Sequence, residues 1–426
     1  MEPGCRPSGT IVVMAHAWYG DMIGGSFRLA SEFAEYLAAA GYGVVYVCCD
    51  VRAERGQPLR QFVNGVDVRR YPEPGAHLRL GRSLAQVVRS RRVVRHVMRE
   101  RRVIALSGHS PLQFLGAALA MRGAAAFRNY TVHSPFDDEL RCGMARTVPV
   151  VTSALLATAR ILDRTNAHLA NRVQTDSAFS LDAMSKKHGA CVARKGVVAP
   201  GWVDTRAFRG LGARTDVRRR LGGRWSTEEP IFFTLRRLEP RMGLDVLIRA
   251  VGRLRNGPPF RVLIGGAGPL RDELSRLVRD EGVRGRVHLL GQLPEELVPL
   301  AYRAADCFVL PTRALECFGL IVLEAFAAGS PVLGARTAAI PELASQQGEG
   351  WLFDANDVSA LAERVKAFLS GELRPTVDVR TIAARYDRSR IQPYWERLLF
   401  SGSPTVPYPS GDRGIDCNMK SCSPPS

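Results

Sequence analysis

The chain has 426 residues, 46% hydrophobic and 23% charged, which is ordinary globular composition. That length predicts two domains, or three, each able to bury a core without disulfides or a structural metal. No stretch reaches the roughly 18 apolar residues of a transmembrane helix. The opening MEPGCRPSGT has no apolar run of the secretory type. Nine cysteines (Cys5, Cys48, Cys49, Cys142, Cys191, Cys307, Cys317, Cys417 and Cys422) form no CxxC pair. Reduced thiols, a cytoplasmic protein and no zinc are the expectation. The formal net charge is +18, yet only Lys186, Lys187, Lys195, Lys366 and Lys420 among 59 basic residues are lysine. A basic face attracts phosphates, nucleic acid or anionic lipid, and GC-rich codon usage produces the same arginine skew.

In chain order, short apolar runs mark strands at residues 11–15, 44–48, 66–71, 103–106, 129–133 and 196–199. A second series follows at 231–235, 261–264, 287–290, 307–310, 331–333 and 351–353. Stretches of helical periodicity separate them, as at 27–40, 270–280 and 358–369. Strand and helix alternating twice over predicts an α/β chain of two Rossmann-like, doubly wound domains with parallel sheets. Such sheets bind ligands beyond the carboxyl ends of their strands, so a cleft between the domains is the expected site. The polar stretch 203–230 marks the boundary. The expected division is residues 1–205, residues 206–384, a crossover helix at 385–400, and a disordered Pro/Ser/Gly-rich tail at 401–426.

The stretch ECFGLIVLEAFAAGSPVLG at 316–334 carries the most chemistry. A strand ends before it, and a helix opens near Gly319. The backbone N–H groups of Phe318, Gly319 and Leu320 would then face a ligand at the positive end of the helix dipole, a ready phosphate site. Glu316 precedes the opening and Glu324 follows it by just over a turn, so one elongated ligand could meet both carboxylates. A bland alternative makes Glu316 a solvated loop residue and Glu324 an acid favoured by the helix dipole.

The E-x7-E pattern of this stretch resembles the signature of family 4 retaining glycosyltransferases, which have the GT-B fold. The resemblance extends over residues ~10–400. It implies that Glu324 holds the donor ribose and Glu316 the hydroxyls of the donor sugar. TLRRLEPRMGLDVLIRA, from 234, resembles the family segment that grips the diphosphate, with Arg237 at the Arg position and Met242 where the family has Lys. Arg241 is the candidate to supply the missing charge. A guanidinium suits the task because its fork bonds two phosphate oxygens and stays charged. LIGGAGPLRDEL at 263–274 resembles the second Gly-rich turn, a pattern that as bare chemistry serves tight strand-to-helix packing equally well. The loop 291–294 falls where the family places the base. Gly24 and Gly25 match the family's Gly-Gly loop, His133 in YTVHSP the histidine beside the transferred sugar. His109 in SGHSP is an acceptor-side candidate.

The resemblance implies a nucleotide-sugar-dependent transferase moving a sugar to an acceptor hydroxyl with retention. Catalysis would be mainly electrostatic, with Arg237 and the helix start stabilising charge on the departing phosphate. No D-x-D motif for a diphosphate-bound metal occurs, so no metal and no cofactor are expected. The alternatives are a GT-B epimerase, or a basic protein that binds nucleic acid or membrane without catalysis. The arginine-rich run from Val87 to Arg102, with Val87, Val94 and Met98 on one side, is the candidate for peripheral contact with anionic membrane. Nucleic acid is not expected as a partner. Acceptor choice falls to the loops at 73–80 and 136–147, which carry no readable motif. The composition points to a GC-rich bacterial source, hence a cell-envelope or natural-product acceptor.

Overall fold

The computed structural model describes residues 8–22, 24–51, 58–73, 79–143 and 149–401. The expected tail beyond Ser401, parts of both acceptor loops, and Cys5, Cys417 and Cys422 lie outside the described residues. The chain folds as two compact units. The first runs to Pro200 and resumes at Ser389; the second is Gly201–Arg388.

The first unit is built on β1 (Thr10–Met14), β2 (Gly43–Asp50), β3 (Arg60–Val63), β4 (Val66–Pro72), β5 (Val103–Gly108), β6 (Phe127–Val132), β7 (Arg172–Thr175) and β8 (Gly196–Val198). Their order is β3-β4-β2-β1-β5-β6-β7-β8. All pairings are parallel except β3 with β4. Helices cover the sheet, so β1 is buried along its length and reads as an unbroken apolar run. The second unit holds β9 (Ile231–Leu235), β10 (Arg261–Gly265), β11 (Val287–Gly291), β12 (Cys307–Leu310), β13 (Val332–Arg336) and β14 (Leu352–Asp354). Their order is β11-β10-β9-β12-β13-β14, parallel throughout. In both sheets the order reverses beside the first strand, between β1 and β5 and between β9 and β12. Ligand crevices of doubly wound sheets form at such points.

Two strands were not expected. β3 pairs back on β4 through Asn64 and Gly65, both at positive φ, and the N-G dipeptide was the available hairpin signal. β7 (RVQT) is polar, yet fully buried: Gln174 accepts from Asn129, and Arg172 donates to the carbonyl oxygens of Leu398 and Ser401. Polar residues that find a partner inside a sheet leave no hydropathy signal.

The stretch from Gly201 already belongs to the second unit. The Val203 N–H donates to the Tyr386 carbonyl, and Thr205 donates to Asp387. The basic run that looked like a linker forms the helix Arg214–Leu221, whose Arg218 is buried and paired with Asp306. The last helix spans Arg388–Phe400 and packs on the first unit: Tyr36 and Tyr42 donate to Glu396, and the Trp395 indole donates to the Pro200 carbonyl.

The helix Arg79–Glu100 corrects the expected membrane face. Val94 and Val97 are fully buried in the core of the first unit, with Met98 packed against it. The side carrying Val87, Val94 and Met98 therefore faces the protein and is closed to lipid. Exposed apolar residues on this helix are Leu84, at 66%, and Val88, at 49%. Part of the basic run is also spent within the fold: Arg101 pairs with Asp67, and Glu100 with Arg69. Among the described residues, no helix is long and apolar enough to cross a membrane.

Asp163, on the helix Pro149–Leu169, anchors the chain just past β6. Its Oδ1 accepts from the Tyr130 hydroxyl at 2.7 Å, and its Oδ2 from the Phe136 N–H at 2.8 Å. Burial pushes its pKa up to about 6. The folded state thus binds a proton that the unfolded chain releases, so this group's contribution is present at low pH and lost as pH rises through about 6. Asp163→Asn should therefore gain about 1 kcal/mol relative to wild type between pH 5 and pH 7. Urea unfolding of both proteins across that range measures it.

Candidate functional site

In the second unit, the site grows from the turn after β9. Arg236 and Arg237 are neighbours in the turn that follows β9, and their side chains go to opposite sides. Arg236 goes inward: its side chain is 8% exposed, and Nη2 donates to Glu316 Oε2 at 2.8 Å and to Thr312 Oγ1 at 3.3 Å. Its Nε and Nη2 also point at the Met242 sulfur, at 3.2 and 2.8 Å. Arg237 goes outward, 64% exposed, with Glu239 at 3.8 Å. The resemblance places Arg237 at the diphosphate; the guanidinium that meets Glu316 is that of its neighbour Arg236. Nothing in a residue count separates adjacent arginines, because the turn after the strand sets which one faces in.

Met242 is buried in the core of the second unit. No cation occupies the position where a lysine was expected; the sulfur is instead a floor under Arg236. Arg241, the candidate to supply that charge, contacts the loop before Glu316. Its Nη1 donates to the Leu315 carbonyl at 3.1 Å, and Nε lies 3.5 Å from Glu239. Arg241 therefore braces the loop before Glu316.

Three glycines make this geometry possible. Gly243 sits at φ 66° at the start of the helix Leu244–Arg253, where a Cβ would lie 1.9 Å from the Pro311 carbonyl oxygen. Gly266, at φ 121°, would set a Cβ 1.8 Å from the Arg236 carbonyl oxygen, and Gly268 one at 2.6 Å from the Leu238 backbone. Only glycine permits approaches this close. Backbone hydrogen bonds lock the same contacts: Arg236 N–H to Gly265, Leu238 N–H to Ala267 and Leu270 N–H to Leu238. The second Gly-rich turn thus holds the backbone of Arg236 in register.

Glu316 follows Leu315, a non-glycine residue at φ 59°. Its carbonyl accepts from the Ala339 N–H, and its carboxylate is 16% exposed on Arg236. Gly319, at φ 95°, opens the helix Leu320–Ala328, with no side chain capping the start. The N–H groups of Phe318, Gly319 and Leu320 therefore stand near a short helix's positive end, as expected from sequence. Val322, Leu323, Phe326 and Ala327 anchor that helix in the core. Glu324 is half-buried, one oxygen accepting from the Tyr302 hydroxyl at 2.9 Å. Tyr302 carried no sequence signal, since it lies on another helix, Val298–Ala304.

The first unit holds the remaining candidates at the carboxyl ends of its strands. Gly24 caps the helix Gly25–Ala39 in extended backbone, without a capping side chain or an acid in the first turn. His109 and His133 are brought together, with His109 Nδ1 3.0 Å from His133 Nε2. Ser107 Oγ lies 3.0 Å from His109 Nε2, and Asp176 Oδ2 2.6 Å from His133 Nδ1. Both rings thus have both nitrogens engaged within the protein, a mutual contact that their separate places in the sequence did not suggest. Burial, and then the neighbouring His133, hold the His109 imidazole well below its ordinary pKa, so it stays neutral. Asp176 was not a sequence candidate, because β7 was not recognised as a strand.

Comparison with known proteins agrees with this architecture. Residues 23–207 match the model of Glycosyltransferase Family 4, and residues 220–387 that of Glycosyl transferases group 1. A GDP-mannose-dependent alpha-(1-6)-phosphatidylinositol monomannoside mannosyltransferase of Mycolicibacterium smegmatis is 34% identical over 183 residues, 41% of this chain and 47% of that protein. A D-inositol 3-phosphate glycosyltransferase of the same organism is 32% identical over 209 residues, 48% of this chain and 46% of that protein. The matched stretch thus spans just under half the length of these relatives. Among solved structures, sucrose-phosphate synthase from Thermosynechococcus elongatus superposes with a TM-score of 0.75 at 18% identity, covering 91% of this chain and 98% of that one. Anabaena HepE in complex with UDP and glucose gives 0.70 at 18% identity, covering 92% and 99%. Two Rossmann-like sheets of this order define the GT-B fold. The chain belongs to the family 4 glycosyltransferases.

Gly266→Ala should cost roughly 1–3 kcal/mol, because the strain falls on the backbone of Arg236. Chemical denaturation reads this loss, and an unchanged midpoint would contradict the close approach.

Proposed function

We propose that this chain transfers a glycosyl residue from a nucleoside-diphosphate sugar to an acceptor hydroxyl, with retention of configuration and without a metal or other cofactor. The observation that carries this reading is the convergence in the second unit of Arg236, Glu316 and the open start of Leu320–Ala328, with Glu324 a turn further on. A diphosphate would take over Arg236 from Glu316, and charge-assisted bonds to phosphate oxygens are the stronger use of that guanidinium. Glu316, released, would accept hydrogen bonds from sugar hydroxyls, and Glu324, steadied by Tyr302, would accept from the ribose. As the glycosidic bond breaks, negative charge grows on the leaving phosphate, and Arg236 with the N–H groups of Phe318, Gly319 and Leu320 would stabilise it. In the first unit, the family resemblance assigns His133 to the transferred sugar, His109 to the acceptor side, and Gly24 and Gly25, at the uncapped start of Gly25–Ala39, to the donor. The GDP-mannose named for one relative supports a nucleotide-sugar donor, and the two relatives' names differ in acceptor. A cytoplasmic location and a bacterial source accompany this reading.

Calorimetric titration with UDP, GDP, ADP and TDP in the presence of EDTA tests the donor site. One nucleotide should bind at micromolar concentration. Arg236→Ala and Glu324→Ala should each weaken it tenfold or more, the loss of a charged hydrogen bond of ~1.5–3 kcal/mol. Arg237→Ala should change it less than twofold. Equal, salt-abolished binding of all four would mean that the basic surface alone attracts phosphate, and would sink the proposal.

Peripheral contact with anionic membrane, if the acceptor is lipid-linked, falls on the outer side of Arg79–Glu100, where Leu84 and Val88 stand exposed. Leu84→Asp with Val88→Asp should abolish sedimentation with anionic vesicles at low salt. Vesicle binding that survives the double variant would remove this helix from the reading.

A further inference from the structure

Three adjacent parallel strands, β5, β6 and β7, deliver the four members of a buried polar chain at or just past their carboxyl ends. Ser107 and His109 come from β5 and the residue after it, His133 follows β6, and Asp176 follows β7. Ser107, His109 and Asp176 are nearly fully buried, and the His133 side chain is 14% exposed. Trp395 stacks on the His109 ring, with centroids 5.8 Å apart and planes 19° from parallel.

For two neutral rings, donor and acceptor chemistry orders the protons along this chain. An ionised carboxylate only accepts, so the 2.6 Å contact requires a proton on His133 Nδ1. In the neutral ring, Nε2 is then an acceptor. His109 must therefore donate from Nδ1, and its own Nε2 accepts from the Ser107 hydroxyl. With both rings neutral, every ring nitrogen of the chain is partnered by this assignment. The other Asp176 oxygen, Oδ1, is buried without a hydrogen-bond partner among the described residues. The carboxylate thus directs its hydrogen bonding at His133. Ser177 caps the helix Ala178–His188 directly after it, and the positive end of that helix favours the anion.

We propose that Asp176 is a positioning residue for His133. Its carboxylate sets the Nδ1–H tautomer, so the ring presents a hydrogen-bond acceptor at Nε2, which the His109 N–H occupies until a substrate hydroxyl replaces it. This rests on the reading of His133 as a residue beside the transferred sugar. The chain discriminates by role: a hydroxyl can donate to Nε2, whereas a carbonyl or phosphate oxygen has nothing to offer it.

Long-range nitrogen–proton NMR on the full chain, labelled at histidine and recorded at pH 8, tests the assignment. His133→Gln identifies the His133 signals among the eight histidines. Wild type should show His133 and His109 both protonated at Nδ1 only. In Asp176→Asn the amide can donate to Nδ1, so His133 should shift to the Nε2–H tautomer. With GDP-mannose or UDP-glucose as donor, hydrolysis by this variant should fall roughly tenfold or more in kcat, with donor KM changed less than twofold. A wild-type His133 protonated at Nε2 overturns the proposal, and that measurement needs no variant to fold. An Asp176→Asn protein whose tautomer does not move, or whose tautomer moves while kcat is unchanged, overturns it as well. If the tautomers behave as expected but wild type turns over neither nucleotide sugar, the tautomer assignment is upheld and the glycosyl-transfer reading fails.

Discussion

In a parallel sheet, crossovers of one hand place successive helices on a face set by the direction in which the sheet grows. Where growth reverses, the two flanking loops part to opposite faces and leave a crevice at the carboxyl ends of the strands. Both units of this chain obey that constraint, reversing between β1 and β5 and between β9 and β12. Arg236 follows β9 and Glu316 follows β12, so their contact is a direct product of strand order. The histidine and aspartate chain of the first unit arises in the same way, from neighbouring strands ending level with one another.

Holding side chains at a crevice requires rigid loops, and here rigidity comes from backbone packed on backbone. Gly243, Gly266 and Gly268 let turns approach within distances that any Cβ would prevent. The result is a guanidinium fixed over the Met242 sulfur with its charge turned toward Glu316. A lysine at 242 would bring a flexible point charge, whereas Arg236 is a planar fork set from below by an apolar floor. The cation at this site thus differs in kind and in attachment from the Arg–Lys pair that the family pattern implies.

Much of this was legible from sequence. Apolar runs at strand spacing, separated by helical periodicity, gave the two parallel sheets, because strands buried on both faces must be apolar throughout. ECFGLIVLEAFAAG marked a helix start with carboxylates on either side, since Gly319 is needed at positive φ and the helix behind it is apolar. The hairpin strand β3 and the polar strand β7 escaped notice, the latter because its side chains find partners inside the fold. Losing β7 meant losing Asp176, and with it the explanation of how His133 is held.

The sequence by itself determined the two-unit α/β plan, the helix that opens at Gly319, and the places of Glu316, Glu324, His109 and His133 along the chain. Those properties depend on local propensity and on periodic burial, both of which are written in residue order. Tertiary structure alone decided that Arg236 faces inward while Arg237 faces solvent, and that Arg241 braces a loop. It also decided that the Val87–Val94–Met98 side of a basic helix is core, and that the two histidines bond to one another and to Asp176. Each of these turns on which way a side chain leaves the backbone and what lies opposite it, and residues distant in sequence supply that opposite side.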